Sequence, residues 1–193
     1  SGVDTDHYAV APFPPPPLRF LFIGRLIADK GIVEFAEAAA HMRSRHPELE
    51  FHTVGWADPS PASAGRDRVD VAGWQREGRI VHHGEVSDVR PHLSAAHVLV
   101  LPSYREGTPR SVLEAMSMGR PVVTTDAPGC RDTLVDGESG WLVRPGDTQA
   151  LIDGLERVRR GAAADPTYLS AMGLRARARI VELYDAHRVA AQM

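Results

Sequence analysis

With 193 residues, 43% of them hydrophobic and 24% charged, the chain has the composition of one globular domain with a real core, not of a disordered or fibrous protein. A formal net charge of -3 carries no basic footprint for nucleic acid, and the single cysteine, Cys130, excludes an internal disulfide and a cysteine-rich zinc site. No apolar run approaches the length of a membrane span.

Residues 1–17 read as a connector. Four consecutive prolines, Pro14, Pro15, Pro16 and Pro17, cannot join a sheet ladder and favour an extended, stiff form. The segment reads as a tether between this domain and something upstream. Residues 18–23, LRFLFI, form a continuous apolar run of strand length, as expected for a strand covered on both faces. A loop over 24–31 follows, with Arg25 and Lys30 between glycines. Ile32, Phe35, Ala36, Ala39 and Ala40 then recur at helical spacing to about Arg45, with Pro47 closing the helix. A second strand is expected at 50–54 and a long loop at 56–65. A short helix is expected over 69–76, and a short strand over 79–82.

The next helix is expected at 89–96, capped by Ser87. A strand at 97–101, a helix at 109–118 and a strand at 121–124 form the following unit. Gly119 and Pro121 stop that helix, glycine by allowing a left-handed cap and proline by barring continuation. Residues 130–135 suggest a short helix and 140–143 the last strand. Asp147 caps a helix to about Arg160 in which Leu151, Ile152, Leu155 and Val158 share a face. Residues 161–166 read as a break, and 169–184 as a final long helix. Strands alternating with helices, without an Asn-Gly hairpin signal, predict an α/β fold with a parallel, doubly wound sheet. Ligands of such sheets lie beyond the carboxyl ends of the strands, near the point where strand order reverses. The loops at Gly24 and at Ser103 should therefore face one cleft.

The stretch 106–123, EGTPRSVLEAMSMGRPVV, carries the chemistry. Pro109 suits a first helical position and Thr108 suits the cap before it. The amides of Arg110 and Ser111 then point out of a helix start, where the partial positive charge favours phosphate. Glu106 precedes this start and Glu114 lies about one turn inside it. Ionised carboxylates accept hydrogen bonds from vicinal hydroxyls, so phosphate on the amides with hydroxyls on the carboxylates describes a nucleotide sugar. The same residues also fit an ordinary Arg110–Glu114 surface pair and a Glu106 that merely favours the helix dipole. Arg25 as a fork and Lys30 as a point charge suit a diphosphate, although solvated loop charges look the same. His82 and His83 should point to opposite faces of their strand and pack. Trp74 and Trp141 read as core, Cys130 as a small buried residue, and Trp56 as an aromatic at a strand end.

These segments resemble the carboxyl-terminal, donor-binding half of retaining glycosyltransferases of family four, the glycosyl transferases group 1, which have the GT-B fold. GVD near the start, FIGRLIADKG, HHGEVSDV, the long SYREGTPRSVLEAMSMGRPVVTTDAPGCRD and ESGWLV carry the likeness, in order. The resemblance implies a Rossmann-like domain over 18–168 and a helix over 169–193 that packs toward an amino-terminal acceptor domain. It implies transfer of a hexosyl or N-acetylhexosaminyl group, with retention, from an NDP-sugar, most often UDP-linked, to a glycan or lipid-linked acceptor. Bacterial capsule, O-antigen and exopolysaccharide transferases are the subgroup it is similar to.

Carried over by position, Arg25 and Lys30 would contact the diphosphate and Glu106 a hydroxyl of the transferred sugar, the three forming the catalytic set. Glu114 would accept the ribose hydroxyls. Gly24, Gly107, Thr108, Arg110 and Ser111 would line the phosphates and sugar, and Val81 and His82 would meet the base through main-chain groups. Pro109 departs from the family's Gly-Phe-Gly and supplies no amide. No metal ligand is implied, no cofactor beyond the donor substrate, and no nucleic acid. A cytoplasmic place is implied, with contact to the inner membrane surface left open. A sugar-nucleotide epimerase of the same architecture, and a non-catalytic nucleotide-sugar-binding module, are the other readings.

Overall fold

The computed structural model describes residues 2–58 and 68–191. The expected loop over 56–65 therefore lies largely outside the described residues. Six parallel strands form one sheet in the order β3-β2-β1-β4-β5-β6. They are β1 (Arg19–Ile23), β2 (Glu50–Val54), β3 (Val81–His82), β4 (Val98–Leu101), β5 (Val122–Thr125) and β6 (Gly140–Val143). The helices between and after them are α1 (Ile32–Arg45), α2 (Val71–Arg76), α3 (Arg90–Ser94), α4 (Arg110–Ser117), α5 (Thr148–Ala164), α6 (Tyr168–Leu183) and α7 (Ala186–Ala191).

The apolar runs explain the centre. β1, β4 and β5 are buried along almost their whole length because helices cover both faces of the sheet. β1 pairs with β2 on one side, Arg19 opposite Glu50 through Ile23 opposite Val54, and with β4 on the other, Phe20 opposite Val98. Strand order reverses between β1 and β4. That is the switch point, and the loops leaving those two strands diverge over a cleft.

The expected elements appear with several corrections. Ser87 does not cap α3; Asp88 Oδ1 accepts from the Arg90 amide at 3.0 Å, and Val89 takes the cap position. Residues 130–135 form turns in place of a helix, closed by the Arg131 amide on the Ala127 carbonyl and Thr133 on Cys130. The expected break at Gly161 is absent, and α5 runs on to Ala164. The reason is space: a Cβ on Gly161 would stand 2.1 Å from the Tyr168 ring, so glycine is what lets α6 pack there. Trp74, Trp141 and Cys130 are buried as expected.

Residues 2–17 lie against the domain. The Val3 amide donates to the Tyr184 carbonyl at 2.8 Å, and Ala186 returns a bond to Val3 at 2.9 Å. Arg120, with no exposure, donates to the carbonyls of Ala11 and Pro12 at 2.8 Å and stacks over the Phe13 ring at 4.4 Å. Among the described residues no helix is long and apolar enough to cross a membrane.

Candidate nucleotide-sugar site

The cleft at the switch point is built by two loops that are tied together. The Asp29 carbonyl, in the loop after β1, accepts from the Tyr104 amide at 2.9 Å and from Ser103 Oγ at 3.3 Å, both in the loop after β4. Gly31 makes this approach possible. Its φ is 76°, and a Cβ there would lie 2.0 Å from the Pro102 carbonyl oxygen. Gly129 supports the second loop from behind in the same way, with φ at 80° and the carbonyl oxygens of Glu106 and Gly107 both 2.2 Å from where a Cβ would sit.

The helix start differs by one residue from expectation. Thr108 is not the cap. Pro109 takes that position in an extended conformation, and its carbonyl accepts from Val112 at 3.1 Å and Leu113 at 3.2 Å. α4 therefore opens at Arg110. The amides of Arg110 and Ser111 have no hydrogen-bond partner among the described residues, and they stand at the positive end of the helix.

A pocket of about 440 Å³ joins these parts. Gly24, Arg25, Lys30, Glu106, Thr108, Arg110, Ser111 and Glu114 line it, with Ile23, Leu101 and Pro109 as its apolar floor. Eight of the residues singled out in the sequence thus converge. Lys30 Nζ lies 2.5 Å from Glu106 Oε1, with both side chains mostly buried. Arg110 Nε donates to Glu114 Oε1 at 2.8 Å; the arginine is exposed and the glutamate is 6% exposed. The helix pair foreseen from the i,i+4 spacing exists, yet its carboxylate faces the pocket instead of solvent.

Three of the expected residues do not line this pocket. Gly107 is exposed in the same loop. Val81 and His82 sit on the edge strand β3, two strands from β1. The His82 amide already donates to Gln75 Oε1 at 2.8 Å. His82 Nδ1 meets Thr53 Oγ1 at 2.9 Å, and His83 Nε2 meets His52 Nδ1 at 2.7 Å; their partners are consecutive on β2, so the two rings do take opposite faces. Trp56 is exposed at the end of β2, its carbonyl accepting from Leu26 at 2.8 Å.

Sequence reasoning missed Tyr8. Its phenol stands beside Glu114 and Arg110, and burial followed by the Glu114 charge pushes it above its ordinary pKa. Nothing local marks a tyrosine more than a hundred residues away as a neighbour. The expectation that the chain has no Asp-x-Asp pair to hold a metal on a diphosphate is wrong as to the spacing, since Asp4-Thr5-Asp6 is one. Asp4 and Asp6 approach His187, and all three are exposed on the amino-terminal segment and α7, outside the pocket.

Residues 17–160 match the family model for glycosyl transferases group 1. The capsular polysaccharide biosynthesis glycosyltransferase CapM of Staphylococcus aureus is 28% identical over 71% of this chain and 35% of its own length. Sucrose-phosphate synthase of Thermosynechococcus elongatus superposes with a TM-score of 0.82 at 28% identity, over 100% of this chain and 49% of that one. HepE of Anabaena, solved in complex with UDP-glucose, gives 0.79 at 21% identity over 99% of this chain and 54% of that one, a likeness of fold alone. The chain spans about a third of the length of CapM and other curated relatives that it matches.

Proposed function

The chain belongs to the glycosyl transferases group 1 family, and from that premise we propose that its switch-point pocket holds the nucleotide-sugar donor of a retaining hexosyltransferase. The observation that carries the reading is the convergence in one pocket of three cations, two helix-start amides without a partner among the described residues and two carboxylates. A donor diphosphate lies against the amides of Arg110 and Ser111, with Arg25 and Lys30 closing on it. Glu106 accepts from a hydroxyl of the transferred sugar and Glu114 from the ribose diol.

The chemistry asked of this domain is electrostatic. As the bond from the sugar to the diphosphate breaks, negative charge grows on the departing oxygens. Lys30, Arg25 and the α4 dipole meet that charge with positive charge of their own. Lys30 also stays bound to Glu106, which links phosphate placement to sugar placement. The residues of the pocket supply cationic stabilisation without a metal in this account. The acceptor, a glycan or lipid-linked glycan, enters from a second domain over the sugar end, and the helix α6 with α7 packs toward that domain. A cytoplasmic enzyme at the inner face of a membrane fits such an acceptor.

Calorimetric titration with UDP-glucose, GDP-mannose and ADP-glucose tests the donor role. Saturable binding of one of them, abolished by excess of the matching nucleoside diphosphate, is the expected result. No heat with any of the three contradicts the reading.

A further inference from the structure

Four positions after Lys30, in the first turn of α1, stands a buried carboxylate. Glu34 is 8% exposed, and Ile32, Phe35 and Ala36 around it in sequence are fully buried. Its Oε2 has no hydrogen-bond partner among the described residues. Its Oε1 accepts from the Tyr104 hydroxyl, which comes from the loop after β4. The positive end of α1 favours a negative charge there. A buried carboxylate oxygen without a donor is still costly, and an apolar side chain would avoid that cost. A group kept on such terms needs a use.

Tyr104 connects this carboxylate to the donor loop. Its amide donates to the Asp29 carbonyl at 2.9 Å. Its ring lies against the turn before α5, 3.8 Å from where a Cβ on Gly146 would sit. Two positions further on, Glu106 pairs with Lys30 at 2.5 Å. Two side-chain links therefore join the same two segments, with Lys30 and Glu34 on one side and Glu106 and Tyr104 on the other. Lysine is a long, freely rotating side chain, so the ion pair alone would let Glu106 swing. The link from Tyr104 to Glu34 removes that freedom from the backbone that carries Glu106.

We propose that Tyr104, held by Glu34, is a positioning residue for the transferred sugar: the link fixes the loop so that the Glu106 carboxylate meets a sugar hydroxyl. The proposal rests on the donor reading above and deepens it. The start of α4 is held separately, by the buried Val112 and Leu113, whose amides donate to the Pro109 carbonyl at 3.1 and 3.2 Å. The link therefore bears on the sugar and not on the diphosphate.

The test uses the unaltered chain, Tyr104→Phe, and Tyr104→Phe combined with Glu34→Leu. Each is titrated with UDP-glucose, GDP-mannose and ADP-glucose and with the matching nucleoside diphosphates, and melting temperatures are recorded. Tyr104→Phe keeps the ring against Gly146 but leaves a buried carboxylate without its donor, so it should melt lower. Removing both polar partners is close to neutral, so the double variant should melt near the unaltered protein. In both variants the nucleotide sugar that binds should weaken by about three- to tenfold, while its nucleoside diphosphate changes by less than about twofold. Equal weakening of the two ligands, or a folded double variant with undiminished affinity for the nucleotide sugar, would overturn the proposal. Unaltered protein that binds none of these ligands would instead remove the donor reading, and the role of Tyr104 with it.

Discussion

Lys30 and Glu106, 76 positions apart in the chain, form an ion pair at 2.5 Å across the mouth of the cleft. A diphosphate bound at the start of α4 has the same sign as Glu106. Lysine can serve both, because its ammonium carries three donors. Lys30 is therefore the residue that lets a phosphate and a sugar-facing carboxylate occupy one pocket.

Removing it exposes the conflict. Lys30→Ala should weaken UDP by about 10- to 100-fold, the range for a charge-assisted contact, and leave uridine nearly unchanged. Arg25→Ala should cost less, because Arg25 is exposed and no carboxylate pairs with it among the described residues. Adding Glu106→Gln to Lys30→Ala should restore part of the UDP affinity. Parallel titrations of UDP and uridine measure this, and equal losses for both ligands would count against a phosphate role.

Gly129 makes a structural prediction with a functional consequence. Alanine there would need a left-handed φ of 80° and would press on the carbonyls of Glu106 and Gly107. Gly129→Ala should cost about 1–3 kcal/mol in urea unfolding and displace the Glu106 loop. Weakened UDP-sugar binding should accompany it. An unchanged unfolding midpoint would mean that the loop yields freely.

Arg120 tests how the amino-terminal segment is held. Its guanidinium donates to carbonyls of Ala11, Pro12, Leu93, Ser94 and Met118, and no ion-pair partner for it occurs among the described residues. Burial lowers its pKa to about 10, so it stays charged at neutral pH. Arg120→Met should cost about 3 kcal/mol or more, because several buried carbonyls lose their donor together. Limited proteolysis should then cut first within residues 2–13. A cost below about 1 kcal/mol would contradict this anchoring.

Acid should destabilise the fold through its buried imidazoles. His52 is held at about 4, down from 6.5, by burial first and then by the nearby Arg19 charge. Burial also lowers His82, His83 and His97. Between about pH 6.5 and about pH 4 the unfolded chain binds a proton at His52 that the folded chain refuses. The stabilisation is complete above 6.5 and is lost as pH falls through that window. Melting temperature should drop across it, and His52→Gln should show a shallower drop. Identical slopes would remove His52 from the explanation.

Much of the fold was legible because each strand announces itself. LRFLFI and HVLVL are apolar apart from Arg19 and His97 near their starts, as strands buried on both faces require. The pocket was legible for a related reason: Arg25, Lys30 and Glu106 each follow a strand, and parallel strands send those loops to one side. Long-range side-chain contacts were not legible. Tyr8, Arg120 and Arg177 meet partners up to 172 positions away, at distances set by packing and not by local spacing. Gly161 looked like a breaker because its tolerance within α5 depends on Tyr168, a neighbour that only the fold supplies. The Thr108 cap failed for a local reason, since Pro109 itself supplied the capping carbonyl.

Amide chemical-shift mapping with UDP-glucose tests the donor site most directly. Shifts that begin at Gly24, Arg25, Arg110 and Ser111 and saturate together are the predicted result. Saturable shifts gathered instead along the apolar groove between Phe13, Leu49 and Leu169, with Arg110 and Ser111 unmoved, would contradict it.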